Sequence, residues 1–288
     1  MKAKMFVIAG PTASGKSAFS LRLAKAVGGV VINADSLQVY EDVPILTARP
    51  TPAEQDGVPH ELYGFLDAFQ KSSVALWLEK VKEVLSKTQT AVFVGGTGLY
   101  LNALLNGLSP VPDIPPDIRR TVREMPLEEV RQKVQDRRFA DPQRLRRALE
   151  VEQATGKTLA YWQTQPTHPL LTEPVQRFLI LPPREKLYAQ CNYRFTQMMA
   201  AGALMQVAEL LKKNPERSGG VFQAIGVSEL SQVLAGTLSE AEAIAHAQQM
   251  TRNYAKRQAT WFRHQFCADT VLESPDFSLS LLKDVDTM

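Results

Sequence analysis

Cysteine and long apolar runs are scarce in this sequence, and each scarcity excludes a class of protein. Cys191 and Cys267 are the two cysteines among 288 residues, too few for a disulfide framework or a thiolate zinc site. No apolar run approaches the roughly 20 residues that cross a bilayer. The apolar N-terminal stretch leads into a glycine-rich loop, so a signal peptide is not expected. We therefore expect a cytoplasmic protein with no membrane segment.

A carboxylate is also missing where phosphate-loop enzymes usually carry one. The stretch GPTASGKS, Gly10–Ser17, matches the phosphate-loop pattern between an apolar run and a helical pattern. ATPases and GTPases end a later strand with an aspartate that organises Mg²⁺. Here the run Ala91–Val94 continues into Gly95-Gly96-Thr97-Gly98. This disfavours hydrolysis of a nucleoside triphosphate and favours a loop that binds a departing diphosphate.

Four short, β-branched runs predict the fold class. Each is nearly continuous in apolar residues, as strands buried on both faces of a parallel sheet are. The runs are Met5–Ala9, Val30–Asn33, Ala91–Val94 and Phe178–Leu181. Helical patterns at Ser17–Val27 and Ser73–Lys87 lie between them. The alternation predicts an α/β fold, a doubly wound parallel sheet of the P-loop NTPase type.

Proline-rich connectors predict an inserted segment and set the domain organisation. The stretch LSPVPDIPPD and, later, TQPTHPLLTEP interrupt the chain on either side of two helical patterns, Leu127–Gln135 and Pro142–Ala154. We expect an α/β core formed by residues 1–112 and 175–288, with C-terminal helices, and residues 113–174 as an inserted helical segment. The C-terminal part reads as helical at Glu185–Lys213, Val221–Leu234 and Ser239–Gln265, and the tail after Asp269 carries little signal.

Basic residues are concentrated in two stretches. Residues 118–149 hold ten Lys/Arg against five Asp/Glu, although the whole chain has a net charge of only +3. Such a cluster is typical of a polyanion-binding surface, but a solvated helix face explains it equally well. In the second stretch, 252–263, basic residues alternate with Tyr254, Trp261 and Phe262. The aromatics suit stacking on RNA bases or, as readily, the buried face of an amphipathic helix.

Several side chains near the expected sheet edge suggest chemistry. Lys16 supplies charge for terminal phosphates and Ser17 a hydroxyl for Mg²⁺. Asp35 follows the second strand, where it could serve a metal ion through water or accept a proton, or only cap a helix. Thr97 could donate to a phosphate oxygen or be a plain turn residue. The glycines at 95, 96 and 98 would let a ligand approach the backbone.

These stretches together resemble the tRNA dimethylallyltransferase family. The resemblance lies in GPTASGKS, INADSLQVY, GGTGLYLNALLNGL, QRLRRALEV with TGKTL, and YAKRQATWFR, which cover most of the chain. It implies transfer of a dimethylallyl group from dimethylallyl diphosphate to N6 of the adenosine just 3′ of the anticodon. It also implies Mg²⁺ as cofactor and the tRNA anticodon stem-loop as partner, with residues 113–174 as an RNA-binding segment. We expect a monomer.

The resemblance also implies a role for each matching residue. The catalytic residues would be Asp35 as proton acceptor, Thr97 at the bridging oxygen, Arg119 and Lys16. The diphosphate would be bound by Gly10, Pro11, Thr12, Ala13, Ser14, Gly15, Lys16, Ser17 and Arg194, with Ser17 also a Mg²⁺ ligand. The tRNA would be contacted by Asp35, Ser36, Leu37, Gln38, Gln143, Arg144, Leu145, Arg146, Arg147, Gln223, Lys256, Arg257 and Arg263.

Some positions depart from the family pattern, and other functions stay open. Leu46 and Arg49 stand where the family usually has glycine and lysine, Glu61 replaces a histidine, Val227 replaces an aromatic residue, and residues 125–140 are shorter than usual. An adenylate isopentenyltransferase that acts on free AMP or ATP is one alternative. A P-loop small-molecule kinase or an RNA-binding nucleotide switch is another.

Overall fold

A parallel sheet organises the computed structural model, which describes residues 4–136, 138–217 and 220–282. The strands found in these residues are β1 (Lys4–Ala9), β2 (Val30–Asn33), β3 (His60–Glu61), β4 (Thr90–Gly95), β5 (Val175–Ile180) and β6 (Thr270–Leu272). Their order across the sheet is β3-β2-β4-β1-β5-β6, and all neighbours run parallel. The α/β doubly wound class predicted from the sequence is confirmed.

The central part of the sheet is buried on both faces, because β1, β2 and β4 are nearly continuous in apolar residues. In β1, Met5, Val7 and Ala9 pack into one core cluster with Trp77 and Phe93. Phe6 and Ile8, which point to the opposite face, pack into a second cluster with Phe19, Leu23 and Phe178. Side chains alternate between faces along a strand, so a continuous apolar run is what a covered parallel sheet requires.

Helices cover the sheet and make up most of the remaining chain. The α-helices in the described residues are α1 (Lys16–Val27), α2 (Pro44–Thr47), α3 (Pro52–Gln55), α4 (Val74–Leu85), α5 (Gly98–Asn106), α6 (Pro116–Glu124), α7 (Leu127–Lys133), α8 (Pro142–Thr155), α9 (Leu159–Gln163), α10 (Arg184–Ala200), α11 (Ala203–Lys213), α12 (Val227–Leu234) and α13 (Glu240–Gln265). None of these helices is long and apolar enough to cross a membrane.

The chain divides into two compact units. One comprises the residues up to Leu105 together with those from Leu170 onward, and the other comprises Asn106–Pro169. The second unit has its own apolar core, which includes Val122, Val130 and Leu149 from three different helices. This unit overlaps the inserted segment expected at 113–174, whose boundaries stay a prediction.

Two expectations for the C-terminal region were wrong. The helix predicted at Glu185–Lys213 is two helices, because Gly202 adopts a left-handed φ of 96° between α10 and α11. The segment predicted as Val221–Leu234 starts with a 3₁₀ turn at Gly220–Gln223, and Gly226, with φ 100°, precedes α12. An α-helix cannot continue through a residue with positive φ, so Gly202 separates α10 from α11 and α12 begins only after Gly226.

The tail after Asp269, where the sequence carries little signal, adds a strand to the sheet. β6 pairs with β5 at the sheet edge, with Phe178 opposite Thr270. Beyond it, Phe277 packs edge-on against Phe19 of α1 at a centroid distance of 5.5 Å. Arg22 of α1 donates a hydrogen bond to the Pro275 carbonyl. The tail therefore completes the core on the α1 side of the sheet.

Candidate active site at the phosphate loop

The phosphate loop has the strained backbone that an anion cradle needs. It connects β1 to α1, and Ala13 and Gly15 have left-handed φ values of 62° and 85°. Gly10 cannot be replaced by a larger residue, because a Cβ there would lie 2.6 Å from the Ile180 carbonyl oxygen. Alternating right- and left-handed residues turn successive N–H groups toward one concavity, which the N-terminus of α1 also faces. The loop is therefore built to receive phosphate oxygens.

Two partly buried cations lie beside this loop. Burial lowers the pKa of Lys16 from its usual value to about 8, although the nearby Asp35 carboxylate opposes the shift. Burial likewise lowers the pKa of Arg194, again against the influence of Asp35. Arg194 Nη1 donates to Thr12 Oγ1 at 3.2 Å, which ties the guanidinium to the loop. Desolvated cations of this kind gain most from an anionic ligand.

Asp35 follows the end of β2 and is fixed by its neighbours. Asn33 Oδ1 accepts the Asp35 N–H at 2.9 Å, and Asn33 Nδ2 donates to the Leu62 carbonyl. Asp35 Oδ1 accepts the Leu37 N–H at 3.0 Å, so the carboxylate caps a turn. The next helix starts only at Pro44, so the helix N-cap interpretation of Asp35 was wrong. One carboxylate oxygen accepts the hydrogen bond of this turn. The negative charge of the carboxylate acts on Lys16 and Arg194.

Thr97 lies between β4 and α5, close to Asp35 in the fold. Its Oγ1 accepts the Ser36 N–H at 3.0 Å and lies 3.3 Å from Ser36 Oγ. These bonds join the ends of β2 and β4, which are adjacent strands. The threonine hydroxyl is thus held at the carboxyl edge of the sheet, where ligands of doubly wound folds bind.

A pocket with mixed lining opens beside these groups. Its polar wall includes Thr12, Asp35 and Arg194, and its apolar wall was not predicted from the sequence. The apolar residues are Leu37, Leu46, Phe195, Met198, Ala224 and Ile225. They come from the β2–α2 connection, α2, α10 and the turn before α12, so no local pattern could have assembled them. The pocket suits a ligand with a phosphate end and a branched hydrocarbon end.

Two family models match this chain. The model of the family described as IPP transferase matches residues 38–265, and that of isopentenyl transferase matches residues 3–63. The chain belongs to the IPP transferase family. A tRNA dimethylallyltransferase of Azorhizobium caulinodans is 43% identical and aligns with 98% of this chain and 96% of its own. One of Rhodopseudomonas palustris is 46% identical, over 92% and 88%.

Solved structures of IPP transferases share the fold. The tRNA isopentenylpyrophosphate transferase of Bacillus halodurans superposes with a TM-score of 0.68 at 30% identity, covering 99% of this chain and 95% of that one. A eukaryotic dimethylallyltransferase acting on tRNA superposes with a TM-score of 0.78 over 98% of this chain and 76% of that one. Its identity is 24%, so it supports the fold alone.

In this family member, the glycine turn after β4 is filled by the protein itself. A Cβ at Gly95 would lie 2.1 Å from the Ala34 carbonyl oxygen, and one at Gly98 would lie 2.6 Å from the Trp261 ring. A Cβ at Gly96 would lie 2.4 Å from Gln258 Nε2. All three glycines accommodate other parts of the chain on their Cβ side, which explains why glycine is needed there without any ligand. Close approach of a ligand to this backbone stays a prediction.

Gln258 is the functional candidate that sequence reasoning missed. Its Oε1 accepts the Thr12 N–H at 2.8 Å and its Nε2 donates to the Gly96 carbonyl at 2.8 Å. A signal did exist, because Gln258 falls on the helical face of α13 that carries Ala255, Ala259 and Phe262, all buried. A glutamine on an apolar face needs partners inside the protein.

Two aromatic residues of α13, Trp261 and Phe262, pack against the core of the protein. Phe262 is fully buried in the core beneath the sheet, and Trp261 packs against that core and Gly98. The stacking interpretation is wrong for Phe262, and the amphipathic-helix alternative is confirmed for both. Tyr254 lines the pocket, and burial raises its pKa above the usual value. Lys256, Arg257 and Arg263 on the same helix are exposed.

The other candidate RNA contacts are distributed differently. In the second unit, Arg119, Gln143 and Arg144 are exposed, whereas Leu145 is buried in that unit's core. Arg146 donates to the Val122 and Met125 carbonyls, and Arg147 lies 3.6 Å from Glu150. In the first unit, Gln38 Nε2 donates to the Thr47 and Ala48 carbonyls, and Gln223 is exposed. Arg146 and Gln38 thus have structural partners already.

Proposed function

We propose that this chain transfers the dimethylallyl group of dimethylallyl diphosphate to N6 of the tRNA adenosine just 3′ of the anticodon, releasing diphosphate. The observation that carries the proposal is one juxtaposition. An anion cradle with two desolvated cations, an apolar pocket and a carboxylate meet at the carboxyl edge of the sheet. These are the parts that an allylic diphosphate and a weakly nucleophilic amine require.

The phosphate loop with Lys16 and Arg194 binds the leaving group. As the allylic C–O bond breaks, negative charge grows on the bridging oxygen and spreads into the diphosphate. Preorganised N–H groups and cations stabilise that charge more than they stabilise the intact substrate. The Thr97 hydroxyl, whose contact with Ser36 Oγ is long at 3.3 Å, can turn its proton toward the bridging oxygen.

The apolar wall of the pocket receives the dimethylallyl group. Carbon-oxygen cleavage leaves positive character on the allylic carbon, which water would capture. Leu46, Phe195 and Met198 line the pocket next to Asp35 and Thr12, so they exclude water from the carbon that the amine attacks. Leu46 is nearly buried, and as a leucine it fills space that a glycine would leave open.

Asp35 acts on the adenine amine, which accepts the dimethylallyl group. The exocyclic amine of adenine is conjugated with its ring and is a poor nucleophile until its proton can leave. A carboxylate within hydrogen-bond reach orients the amine and accepts that proton as the C–N bond forms. The electron pair of the broken C–O bond leaves with the diphosphate, so the atoms and charges balance without another reactant. The Leu37 N–H bond keeps the carboxylate in place for this role.

A divalent cation assists, and we propose that it is Mg²⁺. In the described residues, no group of three or more His, Cys, Asp or Glu could hold a metal ion alone. The Ser17 hydroxyl and the Asp35 carboxylate instead fit a cation that keeps water and takes most of its oxygens from phosphate. When bound, it neutralises charge on the diphosphate.

Exposed basic residues would bind the tRNA anticodon stem-loop. On α13 these are Lys256, Arg257 and Arg263; in the second unit they are Arg119 and Arg144, with Gln143 beside them. Arginine and lysine on a surface contact phosphates and position the RNA without reading its sequence. A cytoplasmic location follows from this substrate, and we propose that the chain acts as a monomer.

One experiment tests the function against its alternatives. The protein is incubated with labelled dimethylallyl diphosphate and unmodified tRNA, AMP or ATP in separate reactions. We expect label in tRNA and none on the free nucleotides. Label on AMP or ATP would instead identify an adenylate isopentenyltransferase. ATP turnover with no prenyl transfer would identify a kinase or a nucleotide switch, and either result overturns the proposal.

A further inference from the structure

Gln258 makes two hydrogen bonds inside the protein, and both reach the candidate site. It lies on the buried face of α13 with 7% of its surface exposed. A buried amide is costly unless its donor and acceptor are both satisfied. Here Oε1 accepts the Thr12 N–H and Nε2 donates to the Gly96 carbonyl, each at 2.8 Å. The amide orientation is therefore set by its partners.

The two partners belong to opposite halves of the proposed reaction. Thr12 is in the phosphate loop, and its hydroxyl accepts a hydrogen bond from Arg194. Gly96 directly precedes Thr97, whose hydroxyl accepts the Ser36 N–H next to Asp35. One glutamine side chain thus connects the diphosphate half to the acceptor half. Thr12 and Gly96 are 84 residues apart in the sequence, and Gln258 lies 162 residues after Gly96.

Few other side chains could make this connection. Glutamate would present an acceptor to the Gly96 carbonyl oxygen, which is itself an acceptor, and leucine would satisfy neither partner. The glycine is specific as well, because a Cβ at position 96 would lie 2.4 Å from Gln258 Nε2 and 3.3 Å from the Gly10 carbonyl oxygen. Gln258 and Gly96 therefore fit each other as a pair.

We propose that Gln258 is a positioning residue that sets the separation between the diphosphate cradle and the Asp35–Thr97 side of the site. This inference rests on the proposed prenyl transfer. The reaction requires the departing oxygen, the allylic carbon and the attacking amine to align. A misplacement of about 1 Å between such groups costs roughly 10²-fold in rate. Gln258 acts through Thr12 and Gly96, the two partners of its amide group.

The test compares Gln258→Glu and Gln258→Leu with Gln249→Glu and Gln249→Leu. Gln249 is on the same helix but exposed, so it controls for charge and helix propensity. We expect single-turnover transfer to tRNA to fall by about 10²-fold in both Gln258 variants. The dissociation constants for dimethylallyl diphosphate and tRNA should change by less than about threefold, as should the transfer rate of the controls. Gln258→Glu is nearly isosteric, so it remains informative if Gln258→Leu does not fold.

Two further measurements separate positioning from simple stabilisation. Gly96→Ala displaces the Gln258 amide, so it should reproduce the slow transfer with intact binding. In a double-mutant cycle, Thr97→Ala should cost less in the Gln258→Glu background than alone, because coupled residues are not additive. Rates within threefold of wild type, additive effects, or a loss that follows only the melting temperature would overturn the inference. A wild-type chain that labels no tRNA would instead overturn the proposed function.

Discussion

The cations beside the phosphate loop and those on α13 carry the same charge in opposite surroundings. Lys16 and Arg194 are partly buried, and burial lowers the pKa of each. Lys256, Arg257 and Arg263 are exposed, where water and salt screen them. A cation that has lost its water gains strongly from one matching anion, whereas exposed cations act together and weakly. The first pair suits a small diphosphate, and the second group suits a long polyanion.

Removing the carboxylate that both enclosed cations face gives the largest expected effect. Asp35→Asn keeps the turn, since the amide oxygen can still accept the Leu37 N–H. It cannot accept a proton at neutral pH, so we expect kcat to fall by about 10²–10⁴-fold. The affinity for tRNA should change far less. Single-turnover transfer by this variant at the wild-type rate would leave Asp35 as a turn residue only.

Replacing Lys16, one of the two partly buried cations, by a neutral residue should give the second largest effect. Lys16→Met removes the charge but keeps most of the side-chain length, and we expect kcat/KM for dimethylallyl diphosphate to fall by about 10³-fold. Lys25→Met is the matched control, because Lys25 lies on the same helix and is exposed. Binding of tRNA should not change in either variant. If Lys16→Met and Lys25→Met lost kcat/KM equally, the proposed difference between partly buried and exposed cations would be wrong.

The enclosed lysine should also make diphosphate binding depend on pH. Its pKa is lowered to about 8, so Lys16 is charged below that pH and loses its proton above it. The anion binds the charged form, and the dissociation constant should therefore rise as pH increases through about 8, by up to about tenfold per unit. Titration calorimetry from pH 6.5 to about 9.5 measures this. In Lys16→Arg the dissociation constant should stay constant over the same pH range, because arginine stays protonated.

The exposed cations should give the smallest effect, and it should depend on salt. Lys256→Ala with Arg257→Ala should reduce the log–log slope of tRNA affinity against salt by about 2, one for each lost phosphate contact. Affinity at physiological salt should fall several-fold while the chemical step is unchanged. Lys212→Ala on α11, exposed and paired with Glu209, is the control. If the Lys256→Ala/Arg257→Ala variant and the Lys212→Ala control both kept the wild-type slope, α13 would not be part of the RNA-binding surface.

Patterns within one stretch of the sequence predicted the features that contiguous residues form. The apolar run of β1, the phosphate loop and the start of α1 are contiguous, so one motif with its context predicts all three. Asp35 and Thr97 followed from their positions after buried runs, because the carboxyl ends of parallel strands share one edge. The strands that were missed, β3 with two residues and β6 with three, are too short for a periodic signal.

The remaining features depend on contacts between distant residues. Nothing near Gly96 in the sequence indicates that Gln258 occupies the space above it, and nothing near Gly98 indicates Trp261. A glycine can serve a ligand or a neighbouring side chain, and the sequence around it is the same in both cases. The apolar wall of the pocket has the same origin, since Leu46, Phe195 and Ile225 come from separate elements.

The tail that packs on α1 has a consequence for how the protein is made. A Cβ at Gly15 would lie 2.7 Å from Pro275, and Phe277 covers Phe19, so the back of the phosphate loop is closed by residues made some 260 positions later. On the ribosome, β1 and the loop emerge first, but their packing waits for β5 and then β6. A nascent chain thus carries the phosphate-loop sequence long before the residues that pack behind it are made, and we expect ligand binding only after the residues around Pro275 and Phe277 have packed on α1.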